Sequence, residues 1–461
     1  MSFMINRLPI TLLRSSAILL LALFYLLHYF FPTILLYWIF TLMLGSSFLF
    51  GFYYLNKTTK TLCLIMLLIG HILFFVSGGT AAFWMDSLTK NMPLVTFLIL
   101  IPLLSIPFKV EGHFQAIQEV TTGRLEGRQK FYSVVSFLTF TLCIMMNVGG
   151  MRLNYEMLEG YFKKYTQTGV QAMMRGYAAT MLWAPYFPTV ILILFYLQIP
   201  SYAYLGPALG FGLLSLIFLN LYGWMAHRKL EDMENRSTVN RQPLSDTGKR
   251  KLTVFIGLVL LIIFLSVFLE RWGGFPIMIV IALISIGFPA VMVTLSQRRG
   301  AYKEAVTDYR VQALPKMINE VSLFISAGFL GEMVAKTDIG EIFPAFFTTV
   351  SGLSLWLMIF LLIVIIPLLA IVGIHPLVTG SILGTSLSPE LIGLNPISLA
   401  GALIGGWAMA LMLSPISAIN IIVGGMVDKP PFVVGLKWNW KYGLWWAFLL
   451  AALLYGYHHM A

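Results

Sequence analysis

Long apolar segments, separated by short polar turns, dominate the hydrophobic pattern of this chain. Most are close to the length of about 20 residues that a helix needs to cross the hydrocarbon core of a bilayer. The pattern therefore predicts an all-α, polytopic membrane protein. The uninterrupted and proline-broken segments lie at 15–31, 34–55, 61–83, 92–108, 172–198, 202–226, 252–270, 275–297, 319–337, 396–424 and 441–458.

Two further apolar segments, 131–165 and 353–390, are interrupted near the middle by residues that break helices. The interruptions are Asn147-Val-Gly-Gly150 in the first segment and Gly373-Ile-His-Pro376 in the second. Irregular backbone at membrane depth is tolerated only where protein buries it or where it lines a cavity. Both segments are therefore predicted to be re-entrant hairpins, which enter and leave the membrane on one face.

Two of the apolar helices are predicted to be broken, because proline removes a backbone donor and clashes with the preceding turn. The breaks are Trp183-Ala-Pro-Tyr-Phe-Pro188 in helix 172–198 and Ser414-Pro-Ile-Ser417 in helix 396–424. Interrupted helices in corresponding positions of two halves are typical of transporters built from inverted repeats. We therefore expect a first membrane half at 1–226 and a second at 252–461, joined by a polar cytoplasmic linker at 227–251.

The 30 Lys and Arg residues outnumber the 19 acidic residues and give a net charge of +11. Basic residues cluster in the short loops near 57–60, 124–130, 227–251, 298–316 and 429–441. If both hairpins are re-entrant, all of these loops fall on one face, as expected for the cytoplasmic face of a membrane protein. This predicts a multi-pass protein of the cell membrane with its N-terminus in the cytoplasm and its C-terminus outside. Nucleic acid is not expected as a partner, because loop position accounts for the charge.

Three motifs resemble the ion transporter superfamily, and most nearly its divalent anion:sodium symporters, the dicarboxylate carriers. LMLSPISAINIIVGG at 411–425 resembles the proline-rich segment of that family, which ends in Asn-x-Ile-Val. LFISAGFLGEMVAKTDIG at 323–340 resembles its glycine-rich helix, and ATMLWAPYFPTVIL at 179–192 resembles the counterpart in the first half. The resemblance covers residues 92–450. It implies alternating access of the elevator type, in which hairpins and broken helices move as one transport unit.

The hairpin tips depart from the family pattern. In the family each tip carries Ser-Asn-Thr, whose hydroxyls and amides bind substrate carboxylates and help to frame sodium sites. Here the first tip has Met146-Asn-Val-Gly149 and the second has Gly373-Ile-His-Pro376. The resemblance therefore leaves both the dicarboxylate specificity and the sodium coupling open.

The candidate binding residues lie at the two tips and the two breaks. Half-helix N-termini favour anions, and exposed carbonyl groups suit cations. The alternative for each position is a structural role, as a tight turn or as a hydrogen bond between helices. The candidates are Asn147, Gly149, Gly150, Arg152, Pro185, Pro188, Gly373, His375, Pro376, Thr379, Ser414, Pro415, Ser417 and Asn420.

For two candidates that can carry a charge, the sequence suggests more specific roles in binding or coupling. Arg152 has the planar fork that suits an oxyanion, but Glu156 is four residues later, so a structural ion pair is the alternative. The same spacing predicts a structural pair between Glu332 and Lys336. His375, with an unperturbed pKa of about 6.5, is a candidate for proton coupling, and a buried neutral imidazole is its alternative.

Together these features predict a secondary active transporter of a small anionic solute, driven by a proton or sodium gradient. No nucleotide-binding loop is found in the sequence, and Cys63 and Cys143 lack metal-ligand spacing, so we expect neither an enzyme nor a bound cofactor or metal. The lipid bilayer and a second copy, in a homodimer, are the expected partners. The alternatives are an efflux permease or ion exchanger of the same superfamily, a membrane-embedded lipid-linked transferase, and a non-transporting sensor or assembly factor.

Overall fold

The structure is a computed structural model that describes residues 8–114, 116–117, 127–231 and 246–461. All regular elements in these ranges are helical, which confirms the predicted all-α class. Within the same ranges, nine helices are long and apolar enough to cross a membrane, as the predicted polytopic class requires. The chain forms two compact units, and each combines a segment from each predicted half. Unit 1 comprises Met1–Glu111 and Phe264–Glu341, and unit 2 comprises Gly112–Ile263 and Ile342–Ala461.

Unit 1 contains neither predicted hairpin. Its helices are Leu8–Phe30, Ile34–Phe52, Lys57–Val76, Ala81–Thr89, Met92–Leu100, Ile106–Val110, Ile277–Leu295, Arg299–Asp308 and Ile318–Ala335. Short turns of other helix types, at Ile101–Ser105, Tyr309–Ala313 and Leu314–Met317, join some of them. Helix Lys57–Val76 packs closely on Ile318–Ala335, where a Cβ atom added to Gly70 would lie 2.7 Å from the ring of Phe329.

Unit 2 contains both hairpins and both broken helices. The first hairpin has a first arm, Gly127–Met146, and a return arm, Val148–Met157; the first broken helix has segments Thr166–Met181 and Pro188–Tyr196. The second hairpin has a first arm, Leu355–Ile371, and a return arm, Pro376–Ser386; the second broken helix has segments Pro396–Leu413 and Ala418–Val427. The remaining helices are Glu159–Lys164, Ser201–Glu231, Pro389–Ile392, the π-turn Val433–Lys437 and the closing helix Trp438–Met460. The chain passes between the units after Glu111 and within the helices Asp246–Gly273 and Asp338–Leu353.

Local sequence explains where many of these helices begin. Six polar side chains at the position before a helix accept a hydrogen bond from the amide three residues later, which satisfies a donor that the helix cannot. They belong to Thr33, Asn56, Thr80, Ser354, Ser388 and Ser417. Proline stands first in helices that begin at Pro188, Pro376, Pro389 and Pro396, where its missing N–H has no consequence.

Glycine allows each broken helix to pack closely on the first arm of the hairpin in its own half. A Cβ atom added to Gly176 would lie 2.7 Å from the carbonyl oxygen of Ser136. A Cβ atom added to Gly406 would likewise lie 2.7 Å from the carbonyl oxygen of Ile363. The two halves of the chain therefore use the same close contact between corresponding helices.

The helix bounds differ from the sequence prediction at a few places. The first broken helix begins at Thr166 instead of residue 172, because the polar residues Thr166, Gln167 and Thr168 continue the helix. Residues 227–231 and 246–251 of the predicted linker belong to helices. The rest of that linker, 232–245, lies outside the described residues.

Candidate functional site

The first hairpin turns at one residue, Asn147, in a backbone conformation that side chains rarely adopt. Its φ is +49° and its ψ is −128°, a region that glycine usually occupies. The phenol of Tyr177, on the first broken helix, donates a hydrogen bond of 2.5 Å to Asn147 Oδ1. No side chain caps the first turn of the return arm. The tip therefore combines backbone strain with open amide groups, a combination found at binding sites.

Two consecutive glycines follow this tip and have different surroundings. A Cβ atom added to Gly150 would lie 2.9 Å from the backbone nitrogen and the sulfur of Cys143, so the two arms require glycine there. A Cβ atom added to Gly149 would meet only Met146, at 3.7 Å, and Gly149 is exposed. Packing therefore explains Gly150, whereas Gly149 is open to a ligand.

Protein side chains fill the break in the first broken helix. Pro188 begins the second segment, and Pro185 lies in the buried turn before it. The hydroxyl of Tyr204 donates a hydrogen bond of 2.8 Å to the carbonyl of Leu182, which the break leaves without a helical partner. The indole N–H of Trp183 is buried and has no hydrogen-bond partner among the described residues. This break therefore offers one donor to a ligand.

The second hairpin turns through residues 372–375, with Gly373 at a φ of +109°. His375 caps the return arm, since its Nδ1 accepts a hydrogen bond of 3.1 Å from the amide of Leu377. Pro376 then begins the arm. One turn further on, the hydroxyl of Thr379 is buried and has no hydrogen-bond partner among the described residues. His375 therefore has a definite structural role, and its Nε2 is the ring nitrogen left for a ligand or a proton.

The second break is tied to the second tip. The hydroxyl of Ser414 donates a hydrogen bond of 2.7 Å to the carbonyl of Ala370, in the last turn of the first arm. Pro415 follows, and Ser417 caps the next segment while its hydroxyl donates to the carbonyl of Leu411 at 2.8 Å. Side-chain hydroxyls thus satisfy the carbonyl groups that the break exposes.

Asn420 lies in the first turn after this break and is fully buried. Its Nδ2 atom donates to the carbonyls of Ser414 at 2.8 Å and of Met412 at 3.1 Å. Its Oδ1 atom is buried and has no hydrogen-bond partner among the described residues. Most buried polar atoms in proteins have a partner, so Asn420 presents an acceptor suited to a cation or to a donor group of a ligand.

Helices of the two halves pack on one another within unit 2. The first segments of the two broken helices pack on each other. The return arm of the first hairpin contacts segment Ala418–Val427, and the return arm of the second hairpin packs on segment Pro188–Tyr196. The arrangement is reciprocal: each return arm contacts the broken helix of the other half.

Arg152 forms the ion pair with Glu156 that was its structural alternative. Its Nε lies 3.3 Å from Glu156 Oε1, and both side chains are largely exposed in the described structure. Exposed pairs of this spacing contribute a few tenths of a kcal/mol. An anion would compete with Glu156 for this guanidinium group.

Sequence reasoning missed two buried residues of the first broken helix. Tyr177 holds the first tip, and Arg175 is 2% exposed among aromatic side chains. Burying a charged side chain in a membrane helix costs free energy, and such residues are usually functional. The sequence could therefore have identified Arg175 as a candidate. It gave no comparable indication for Tyr177, because tyrosine is common in apolar helices.

Known proteins were compared with the chain by sequence and by fold. No family model matches the sequence, and no curated protein matches it. The fold is similar to that of the Alcanivorax borkumensis YdaH transporter, whose crystal structure reveals an unusual topology. The TM-score is 0.55 at 14% sequence identity, and the match covers 87% of this chain and 99% of that one. At this identity the similarity shows a shared fold, that of a polytopic membrane transporter.

Proposed function

We propose that this protein is a secondary active transporter of a small anionic solute. The observation that carries the proposal is the reciprocal packing within unit 2, in which the return arm of each hairpin contacts the broken helix of the other half. Interrupted helices of this kind form the solute sites of many transporters. The similarity in fold to a transporter supports the same reading.

Helix ends favour an anion at this site. Both return arms begin at a tip, and both second segments begin at a break. Helix N-termini carry partial positive charge and free amide groups, which stabilise negative charge. The amides after Asn147 have no side-chain cap, so they are available to carboxylate, phosphate or sulfur oxyanions.

Two kinds of group support coupling to a cation gradient. Asn420 Oδ1 and Thr379 Oγ1 are buried and have no hydrogen-bond partner among the described residues. They are neutral oxygens of the kind that bind sodium. His375 is the alternative, because its imidazole can take up a proton as the anion binds. A sodium gradient and a proton gradient are therefore the two driving forces to be compared.

Alternating access of the elevator type would move unit 2 as one body. Both tips and both breaks belong to that unit, so the solute would travel with the residues that hold it. Unit 1 would then serve as the scaffold, and we expect a homodimer in the cell membrane.

Uptake by purified protein in liposomes tests the proposal. Labelled succinate, phosphate and sulfate are offered with an inward sodium gradient, an inward proton gradient or no gradient. We expect gradient-driven accumulation of at least one anion, and its loss in Asn420→Ala. The matched control is Asn56→Ala, which removes a helix cap in unit 1 and leaves the site intact.

The alternatives give different results in the same assay. Efflux of the anion, or exchange of internal for external anion, without inward accumulation would indicate an efflux permease or an exchanger. Thermal stabilisation by an anion without any transport would indicate a sensor or assembly factor. Turnover of a lipid-linked substrate would indicate a transferase. Each of these outcomes overturns the proposal of gradient-driven uptake.

A further inference from the structure

Arg175 is a buried cation in unit 2 that has no carboxylate partner among the described residues. Its side chain is 2% exposed. The guanidinium carbon lies 4.6 Å from the ring centre of Tyr442, 5.2 Å from that of Tyr222 and 6.0 Å from that of Tyr132. Aromatic faces attract a cation at such distances. They reduce the desolvation cost of the charge and leave its N–H groups free to donate.

Three N–H groups of Arg175 hold three different acceptors. Nε donates to Asn439 Oδ1 at 3.0 Å, Nη1 to the hydroxyl of Tyr132 at 3.1 Å and Nη2 to the carbonyl of Trp438 at 3.3 Å. Tyr132 belongs to the first arm of the first hairpin, whereas the other two residues begin the closing helix. A rigid planar fork bridges such acceptors in fixed directions, which a lysine ammonium cannot do.

Asn439 extends this bridge to the second break. Its Nδ2 donates to the carbonyl of Val434 at 2.8 Å and to that of Gly435 at 3.3 Å, both in the π-turn Val433–Lys437. Gly435 packs directly on Asn420, since a Cβ atom added to Gly435 would lie 2.5 Å from Asn420 Nδ2. A continuous series of contacts therefore runs from Arg175 through Asn439 and the π-turn to Asn420.

We propose that Arg175 is a positioning residue, which fixes the π-turn so that Asn420 keeps its Oδ1 atom unpartnered and directed for ligand binding. The inference deepens the proposed function and rests on it in one respect, namely that Asn420 belongs to the binding site. Arg175 itself does not contact the ligand. Its effect is transmitted through main-chain atoms of the π-turn.

Hydrogen–deuterium exchange of the purified full-length protein tests the positioning role without any ligand. Arg175→Lys keeps the positive charge but cannot hold three divergent acceptors. We expect amide exchange in the peptide 414–424 to become about tenfold faster, because hydrogen bonds from charged donors to buried acceptors are lost. Gln171→Leu is the matched control, since Gln171 donates to the same Trp438 carbonyl at 2.7 Å but does not contact Asn439.

A second variant keeps the test decisive if Arg175→Lys does not fold. Asn439→Asp still accepts from Arg175 but loses its donors to the π-turn, so the same faster exchange is expected. Unchanged exchange at 414–424 in either folded variant, or an equal effect in Gln171→Leu, overturns the inference.

Ligand binding gives the second readout, by thermal shift with sodium succinate, sodium phosphate and sodium sulfate. Arg175→Lys should raise the concentration that gives half-maximal stabilisation by about fivefold, and Gln171→Leu should leave it unchanged. If no anion stabilises the wild type and none is transported, the proposed function fails. The exchange experiment still decides whether Arg175 positions Asn420.

Discussion

Ser414 donates a hydrogen bond of 2.7 Å to the main-chain carbonyl of Ala370, and both residues are buried. The bond joins the break of the second broken helix to the hairpin arm that ends two residues before Gly373. One hydroxyl thus satisfies a buried carbonyl and fixes the second tip relative to the second break.

Loss of this hydroxyl should weaken both stability and ligand binding. Ser414→Ala removes the side-chain hydrogen bond to the Ala370 carbonyl, which keeps the amide of Gly373 as a donor at 3.3 Å, so we expect a loss of about 0.5–1.5 kcal/mol. Thermal unfolding with and without the transported anion measures both effects. Ser398→Ala is the control, because it removes a 2.9 Å bond to the Leu454 carbonyl elsewhere in the same segment. Equal losses of ligand stabilisation in the two variants would contradict a role at the tip.

The positive φ at Asn147 predicts an unusual order of stability among substitutions. Asn147→Gly and Asn147→Ala both lose the bond from Tyr177, but only alanine retains the backbone strain. We expect the alanine variant to be less stable than the glycine variant by about 1–2 kcal/mol. Denaturant unfolding of both proteins measures the difference. Equal stability would mean that the turn relaxes without glycine.

The neighbouring glycines of the first tip should respond differently to alanine. Gly150→Ala forces the two hairpin arms apart, because its Cβ atom would lie 2.9 Å from backbone atoms of the first arm, and overpacking of this kind costs about 1–3 kcal/mol. Gly149→Ala has space and should fold normally. If the first tip binds the anion, Gly149→Ala will still weaken thermal stabilisation by that anion. Full ligand stabilisation in this variant would remove Gly149 from the site.

Proton coupling through His375 predicts a pH dependence that asparagine abolishes. Anion binding should strengthen as the pH falls, because only the protonated imidazole carries the positive charge that favours a bound anion. His375→Asn keeps a side chain able to cap the return arm but cannot take up a proton, so its anion binding should be independent of pH. His375→Ala loses the cap as well and should also be less stable.

Uptake driven by each gradient separates the two coupling ions. If His375→Asn keeps full proton-driven uptake, or if only sodium drives the wild type, His375 is not the coupling group. The unpartnered oxygens of Asn420 and Thr379 would then become the first residues to substitute.

Membrane orientation is testable by labelling single cysteines in intact cells. The basic loops predict that residue 240 is cytoplasmic and residue 461 is outside. A cysteine at 461 should react with an impermeant maleimide, and one at 240 should react only after permeabilisation. Cys63 and Cys143 are both buried, so their background should be low. Labelling of both positions from the same side would refute this orientation.

Local sequence signals predicted the interruptions of the helices well. Asn147 and Gly373 mark the two turns, and Pro188 and Pro415 mark the two breaks, as expected. These features depend on backbone chemistry within a few residues, so a single sequence carries them. The roles of the same residues in binding remain predictions.

Contacts between distant parts of the chain were beyond local reasoning. The spacing of Glu332 and Lys336 suggested a pair, but Glu332 contacts Lys90 at 3.3 Å and Lys336 lies over the ring of Phe83. Arg175 meets acceptors 263 and 264 residues away. Such partners depend on tertiary packing, which periodicity and propensity do not encode.

The π-turn at Val433–Lys437 makes the packing at this point sensitive to deletion. A π-turn holds one residue more than the equivalent α-helical turn. Removal of a single residue there would convert the turn to α-helix and leave the flanking helix in register. The packing of Gly435 on Asn420 would be altered although no side chain of the binding region had changed. In this part of the chain the number of residues matters as much as their identity.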